Sequence, residues 1–177
     1  MNKKAQVWSL DVIMGIVIFM VAIVIFYVYT INLSEDTESK SQDLDTDAEF
    51  FSSNLLSEGS PRNWNITNAL IPGVMTGVEI NQTKLDNLYN LTYSDYPQGY
   101  QRLIIMVGTR FDFYFYLNDK MTINITASTI EVDGIGKLNV NRTNLQEIEN
   151  PSNVVKFERF TVYQKKPTKL ILLLWDK

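Results

Sequence analysis

Three patterns follow one another along the chain. Residues 12–34 carry no charge, and residues 12–31 are nearly all Ile, Val, Phe, Met or Tyr. At about 1.5 Å per residue, a helix of that length covers roughly 30 Å, the thickness of a bilayer hydrocarbon core. Residues 34–43, SEDTESKSQD, then hold no apolar side chain, which predicts a solvated helical stalk or a flexible joint. Next, Leu44, Ala48, Phe51 and Leu55 fall at i, i+4, i+7 and i+11, which is one face of a helix. Gly59, Ser60 and Pro61 stop that helix.

Beyond residue 60 the pattern shortens. PRNWNITNALIPGVMTG reads as loop and turn. TKLDNLYNL predicts a short helix with Leu85 and Leu88 inward, and QRLIIMVG is either a second helix ended by Gly108 or a buried strand. The period then becomes two. Phe111, Phe113, Phe115 and Leu117 face one way, and Arg110, Asp112, Tyr114 and Tyr116 the other. MTINIT alternates in the same way. With Asn118-Asp119 as the turn, the two runs predict an antiparallel hairpin. STIEVDGIGKLNV adds a strand and an Asp133-Gly134 turn. VVKFERFTVYQ and KLILLLW are expected to pair through KKPT, with Pro167 as turn former. The run LILLL is apolar on both faces, which places it centrally in the sheet under the helix of residues 44–57. The Tyr114 and Tyr116 stripe reads as strand packing rather than a stacking platform. The fold class expected is α+β: a long N-terminal helix, half apolar and half amphipathic, followed by an antiparallel, sheet-rich head.

Charge and composition narrow the function. The chain of 177 residues has a formal net charge of −4, so bulk attraction to nucleic acid is not expected. It contains neither Cys nor His, which removes thiolate chemistry, the commonest general base and every Ser-His or Cys-His arrangement. An enzyme and a bound cofactor are therefore not expected. Asp43, Asp45, Asp47 and Glu49 alternate like a calcium loop, but the turn glycine is missing and the stretch reads helical, so no metal site is assigned. Residues 35–58 hold eight carboxylates against Lys40, whereas from Arg62 onward 13 basic residues meet 11 acidic ones. That shift supports a boundary near residue 60, and the acidic stretch itself reads as a solvated surface.

Lys3 and Lys4 precede the apolar run, and Glu35, Asp36 and Glu38 follow it. The positive-inside bias puts the N-terminus in the cytoplasm and the head outside the cell, with Tyr27 and Tyr29 at the far interface. A cleaved secretory signal would have a shorter apolar core and a small-residue site after it. FYVYTINLSED offers no such site, so the apolar segment is expected to stay.

The N-terminus, Lys3-Lys4-Ala5-Gln6-Val7-Trp8-Ser9-Leu10-Asp11, resembles the class III (prepilin-type) signal peptide of archaeal type IV pilin-like proteins. That pattern is a short basic leader, a small residue, Gln, then Ser and an acid before a long apolar helix. The resemblance implies removal of the leader at Ala5, Gln6 or Val7 by a prepilin peptidase, and retention of the helix as a filament core. Ala5 stands where the family usually has Gly. Cleavage before Gln6 makes Asp11 the sixth mature residue, and cleavage before Val7 makes it the fifth, the family's usual position. The implied layout is residues 1–6 as leader, 7–34 as membrane or filament-core helix, 35–58 as acidic stalk and amphipathic helix, and 59–177 as extracellular head. The implied partners are the membrane, further copies of the chain in a helical filament, and an assembly platform.

Asp11 carries two readings. An acid in the first turn complements the helix dipole by about 0.3–1 kcal/mol, with Ser9 as N-cap. The resemblance adds pairing with a new N-terminal amine, often a neighbour's, which would set subunit register because an ionised carboxylate in apolar surroundings demands a partner. Gly15 and Ala22 are the small residues that permit close helix approach. Two other classes remain: a monomeric, single-pass, signal-anchored surface binding protein, and a minor pseudopilin of a secretion or adhesion machine.

Asn-x-Ser/Thr occurs at Asn32, Asn65, Asn81, Asn90, Asn124 and Asn141. Chance placement at this composition gives about two, so the excess favours an exported, glycosylated surface. Asn32 lies too near the membrane to be modified, leaving the other five as candidates.

Overall fold

The computed structural model describes residues 3–126 and 128–176, with side chains for residues 10–30, 42–126 and 128–176. The chain divides into two compact units, residues 1–40 and 41–177. Helix α1, Lys3–Leu55, contributes to both.

In the second unit α1 enters the core by the face its spacing predicts. Leu44, Ala48, Phe51 and Leu55 are fully buried, whereas Phe50 is 55 % exposed. Burying a side chain such as Leu44 or Phe51 stabilises by about 1.5–3 kcal/mol each. The carbonyls freed at the helix end find partners in the following chain: Val74 N–H donates to Leu55 O at 2.8 Å and Met75 N–H to Ser57 O at 2.9 Å. These bonds satisfy acceptors that a helix terminus leaves unpaired. Gly59 makes the turn, with φ +74° and a backbone approach that would put an added Cβ 2.6 Å from Gly73 N.

Strands β1 (Met75–Thr76) and β2 (Glu79–Ile80) precede helices α2 (Gln82–Tyr93) and α3 (Gln98–Val107). The segment QRLIIMVG is thus helical, and Gly108 ends it in the left-handed conformation. Leu85, Leu88 and Leu91 of α2 and Leu103 and Val107 of α3 point into the core. Then come β3 (Asp112–Leu117), β4 (Met121–Ile125), β5 (Ser128–Val132), β6 (Ile135–Gly136), the short α4 (Leu145–Glu149), β7 (Asn153–Tyr163) and β8 (Lys166–Asp176).

Among the described residues the strands form a six-stranded sheet, ordered β1-β2-β7-β8-β3-β6, and a separate β4-β5 pair. Neighbours are antiparallel except β2 and β7. Strand β8 lies between β7 and β3, as its two-sided apolar run requires. Leu170, Leu172 and Leu174 join Phe113, Phe115 and Leu117 in the core that α1, α2 and α3 cover. Ile171, Leu173 and Trp175 turn to the opposite face, where Tyr114, Val140 and Leu145 cover them. Tyr114 and Tyr116 therefore serve packing on that face.

Three expectations are corrected. Helix α1 already begins at Lys3 and has no acid in its first turn, so Ser9 is not its N-cap and Asp11 lies two turns inside the helix rather than at its start. The β3-β4 hairpin does not form. Six residues of β3 pair with β8, Asn118 N–H continues to Lys169 O, and β4 pairs with β5 instead. The apolar β8 needs a neighbour on each edge, and that nonlocal demand outweighs the local Asn118-Asp119 turn signal. The β7-β8 turn is also not at Pro167. Tyr163 faces Lys166 and Pro167 already pairs with Val162, so Gln164 and Lys165, both at positive φ, make the two-residue loop that strand twist favours. Pro167 is tolerated because β3 pairing with β8 begins only at Leu170.

Candidate functional segments and surface sites

In the first unit, residues Leu10–Thr30 form a helical stretch with mean hydropathy 2.9, none of it buried within the chain. Ile16, Val17, Ile18 and Phe19, which at about 100° per residue look to every side of the helix, are each more than half exposed. Unlike a surface helix of a globular protein, this one has no polar face. Thr30 Oγ1 donates to Phe26 O at 2.8 Å, which satisfies the hydroxyl inside its own helix. Nothing lies within 4 Å of a Cβ added to Gly15. Asp11 is exposed one residue after Leu10, at the start of the apolar stretch. Its position supplies a carboxylate at the mouth of the segment. The side chains of Ala5, Gln6 and Val7, of Asn32, and of Glu35, Asp36, Glu38 and Lys40 lie outside the described residues.

In the second unit the acidic face of α1 is more than solvated surface. Arg110 pairs with Asp43, and Thr109 Oγ1 donates to Asp47 Oδ2 at 2.9 Å. These contacts close one side of a shallow cleft of about 420 Å³ between α1 and the α3-β3 turn. Both carboxylates thereby fix the helix to the head.

A second polar cleft, of about 360 Å³, is lined by Arg62, Trp64, Asn81, Lys84 and Asn87 among others. Lys84 is 7 % exposed, and its ammonium donates to Glu58 O and Met75 O, each at 2.8 Å. Burial holds that ammonium below the usual lysine range. Glu58 is held below the usual carboxylate range by its bond from Arg62 and, next, by the Gly77 N–H. Trp64 Nε1 donates to Gly73 O at 2.7 Å. These groups close the loop after α1.

Across the head, Lys137 Nζ lies 2.6 Å from both Asp112 Oδ2 and Glu149 Oε2. Tyr100 accepts from Phe113 N–H and donates to Asp112 Oδ1, each at 3.0 Å. Burial, followed by the Asp112 charge, pushes the Tyr100 hydroxyl far up, so it remains a proton donor. Burial likewise pushes Tyr93 up to about 12, and its hydroxyl bridges Gly136 N and Gly136 O at 3.0 Å each. Sequence spacing gave no sign of this network, whose members come from α2, α3, β3, β6, α4 and the adjoining loops.

The head sequons separate into two kinds. Asn81 is the N-cap of α2, its Oδ1 accepting from Lys84 N–H and its Nδ2 donating to Thr76 Oγ1. Asn124 sits in β4, its Nδ2 donating to Asp86 Oδ2 and its Oδ1 accepting from Thr129. Asn90 is inside α2, and Thr92 of its sequon is fully buried and bonded to Leu88 O. Asn65 and Asn141 instead occupy turns, and the amide nitrogen of each has no protein partner among the described residues.

Comparison of the chain with protein-family models, with curated proteins and with solved structures gives no significant match.

Proposed function

We propose that the chain is a structural subunit of an archaeal type IV pilus-like surface filament, held in the membrane by its apolar helix before assembly. In this reading the N-terminus faces the cytoplasm and the head lies outside. A prepilin peptidase removes the leader at Ala5, Gln6 or Val7, and subunits then leave the bilayer at an assembly platform. The helices exchange lipid contacts for one another in the filament core while the heads cover the outside. One observation carries the reading: a 21-residue helical stretch that exposes apolar side chains on every face, Leu10–Thr30, begins within the Lys-Lys-Ala-Gln…Ser-x-Asp start. Such a helix requires lipid or other helices around it. Lipid is as apolar as the side chains, so packing and polar pairing specify the assembled state rather than hydrophobic drive.

Asp11 supplies that pairing, to the amine created by cleavage. The substitution Asp11→Ala is expected to leave membrane insertion intact and to reduce shed filaments, measured by fractionation and electron microscopy of the native host. Filaments at normal abundance would refute the register role.

A further inference from the structure

We propose that Asn65 and Asn141 are the glycan acceptors of the head, each presented by the same prefolded turn. The two sequences are Asn65-Ile66-Thr67-Asn68 and Asn141-Arg142-Thr143-Asn144. At the first, Asn65 Oδ1 accepts from Thr67 N–H at 2.9 Å and from Thr67 Oγ1 at 2.7 Å. At the second, Asn141 Oδ1 accepts from Thr143 N–H at 2.9 Å and Oγ1 at 2.8 Å. In both, the residue after the threonine returns the bond: Asn68 Oδ1 accepts from Asn65 N–H, and Asn144 Oδ1 from Asn141 N–H, each at 2.6 Å. Two stretches 76 positions apart in sequence, one in the loop after α1 and one before α4, thus take one conformation.

That conformation suits the chemistry. The threonine hydroxyl donates to the amide oxygen and draws electron density from the carbonyl, which helps Nδ2 release a proton. The acceptor nitrogen points away from those bonds. In transfer, Nδ2 bonds to the anomeric carbon of a sugar carried on a lipid phosphate or pyrophosphate. The anomeric carbon–oxygen bond breaks with its electron pair on the phosphate, and one amide proton passes to a base of the transferring enzyme. Asn81 and Asn124 would have to give up bonds from Nδ2, and Thr92 would have to leave the core to serve Asn90. Folding therefore reduces five candidates to two. The inference rests on the exported-head reading for its setting, but not for its geometry.

The test supplies full-length chain in micelles, folded or urea-unfolded, with an oligosaccharyltransferase and a lipid-linked oligosaccharide, and maps glycopeptides by mass spectrometry. The folded chain is expected to take glycan at Asn65 and Asn141 alone. The substitutions Asn68→Ala and Asn144→Ala leave both sequons intact, yet each is expected to lower occupancy at its own turn about fivefold, the equivalent of one hydrogen bond. Modification of the folded chain at Asn81, Asn90 or Asn124 would overturn the selection. So would a folded chain left bare at Asn65 and Asn141 while a peptide of residues 63–69 is modified, or unchanged occupancy in the Asn68 and Asn144 variants. A bare head from the native host, beside uptake at both turns in the tube, would overturn Asn65 and Asn141 as acceptors in the cell and assign the sequon excess to composition, leaving the turn chemistry standing.

Discussion

Replacing Phe51 by Ala tests whether the second half of α1 belongs to the head. Phe51 is fully buried and meets the Phe113 ring edge-on at 4.7 Å between centroids. Phe113 in turn stacks on Tyr100 at 5.2 Å. Deleting the ring leaves a cavity among rigid neighbours, for a cost of about 3–5 kcal/mol that already includes the aromatic pair. For a cooperative unit of about 140 residues, the usual unfolding entropy converts this to a Tm lower by about 10–18 °C. The matched control is Phe50→Ala, because Phe50 is next in sequence and 55 % exposed; its stability is expected to stay within about 0.5 kcal/mol. The assay is thermal unfolding of the full-length chain in micelles by near-ultraviolet circular dichroism, which reports the buried Trp64 and Trp175 rather than total helix. Equal, small shifts in the two variants would refute the placement of α1 in the core.

Two further predictions follow from the head's polar contacts. Lys137→Met leaves Asp112 and Glu149 without the cation that lies 2.6 Å from each. With side chains only 8–21 % exposed, the expected loss is about 2–4 kcal/mol in urea unfolding, and adding Asp112→Asn and Glu149→Gln is expected to recover most of it; no recovery would refute the pairing. Glu58 has its folded pKa depressed below 4.5 by Arg62 and the Gly77 N–H, so its stabilisation is present above pH 4.5 and fades as pH falls through the depressed value. Glu58→Gln is therefore expected to flatten the stability profile below pH 4.5, and an unchanged acid limb would contradict the assignment.

Elements whose signal is local were legible in the sequence. The inward face of α1 at Leu44, Ala48, Phe51 and Leu55 needed only the helical period, and the apolar span needed only length and composition. The central position of β8 was readable because a strand apolar at both Leu172 and Leu173 has to be covered twice. Strand partners were less legible, because pairing depends on which distant edge is free. The β3-β8 register, set by Phe113 opposite Leu174, replaced the hairpin that Asn118-Asp119 suggested. The Pro167 turn failed for a related reason: two residues able to adopt positive φ, Gln164 and Lys165, made a tighter loop than proline permits.

The candidate sites divide in the same way. Six sequons are visible in the sequence, but whether an amide is free depends on tertiary partners such as Thr76 for Asn81 and Asp86 for Asn124. The repeated N-x-T-N stretch is a signal that a search of the sequence for matching turns would have found. The Lys137 network has no such signal, since its charged members join β3, the β6-α4 loop and α4 only once the sheet is assembled.

The central claim, a processed filament subunit, is tested most directly by the mass of the mature N-terminus. The measurement is intact-protein and N-terminal peptide mass spectrometry of the chain from its own membranes and from shed surface material. The expected chain begins at Gln6 or Val7 and is recovered from both fractions. A chain that retains Lys3 and Lys4 and is confined to membranes would contradict it. Such a chain would be a permanently anchored surface protein, with Asp11 reduced to an exposed carboxylate two turns inside α1.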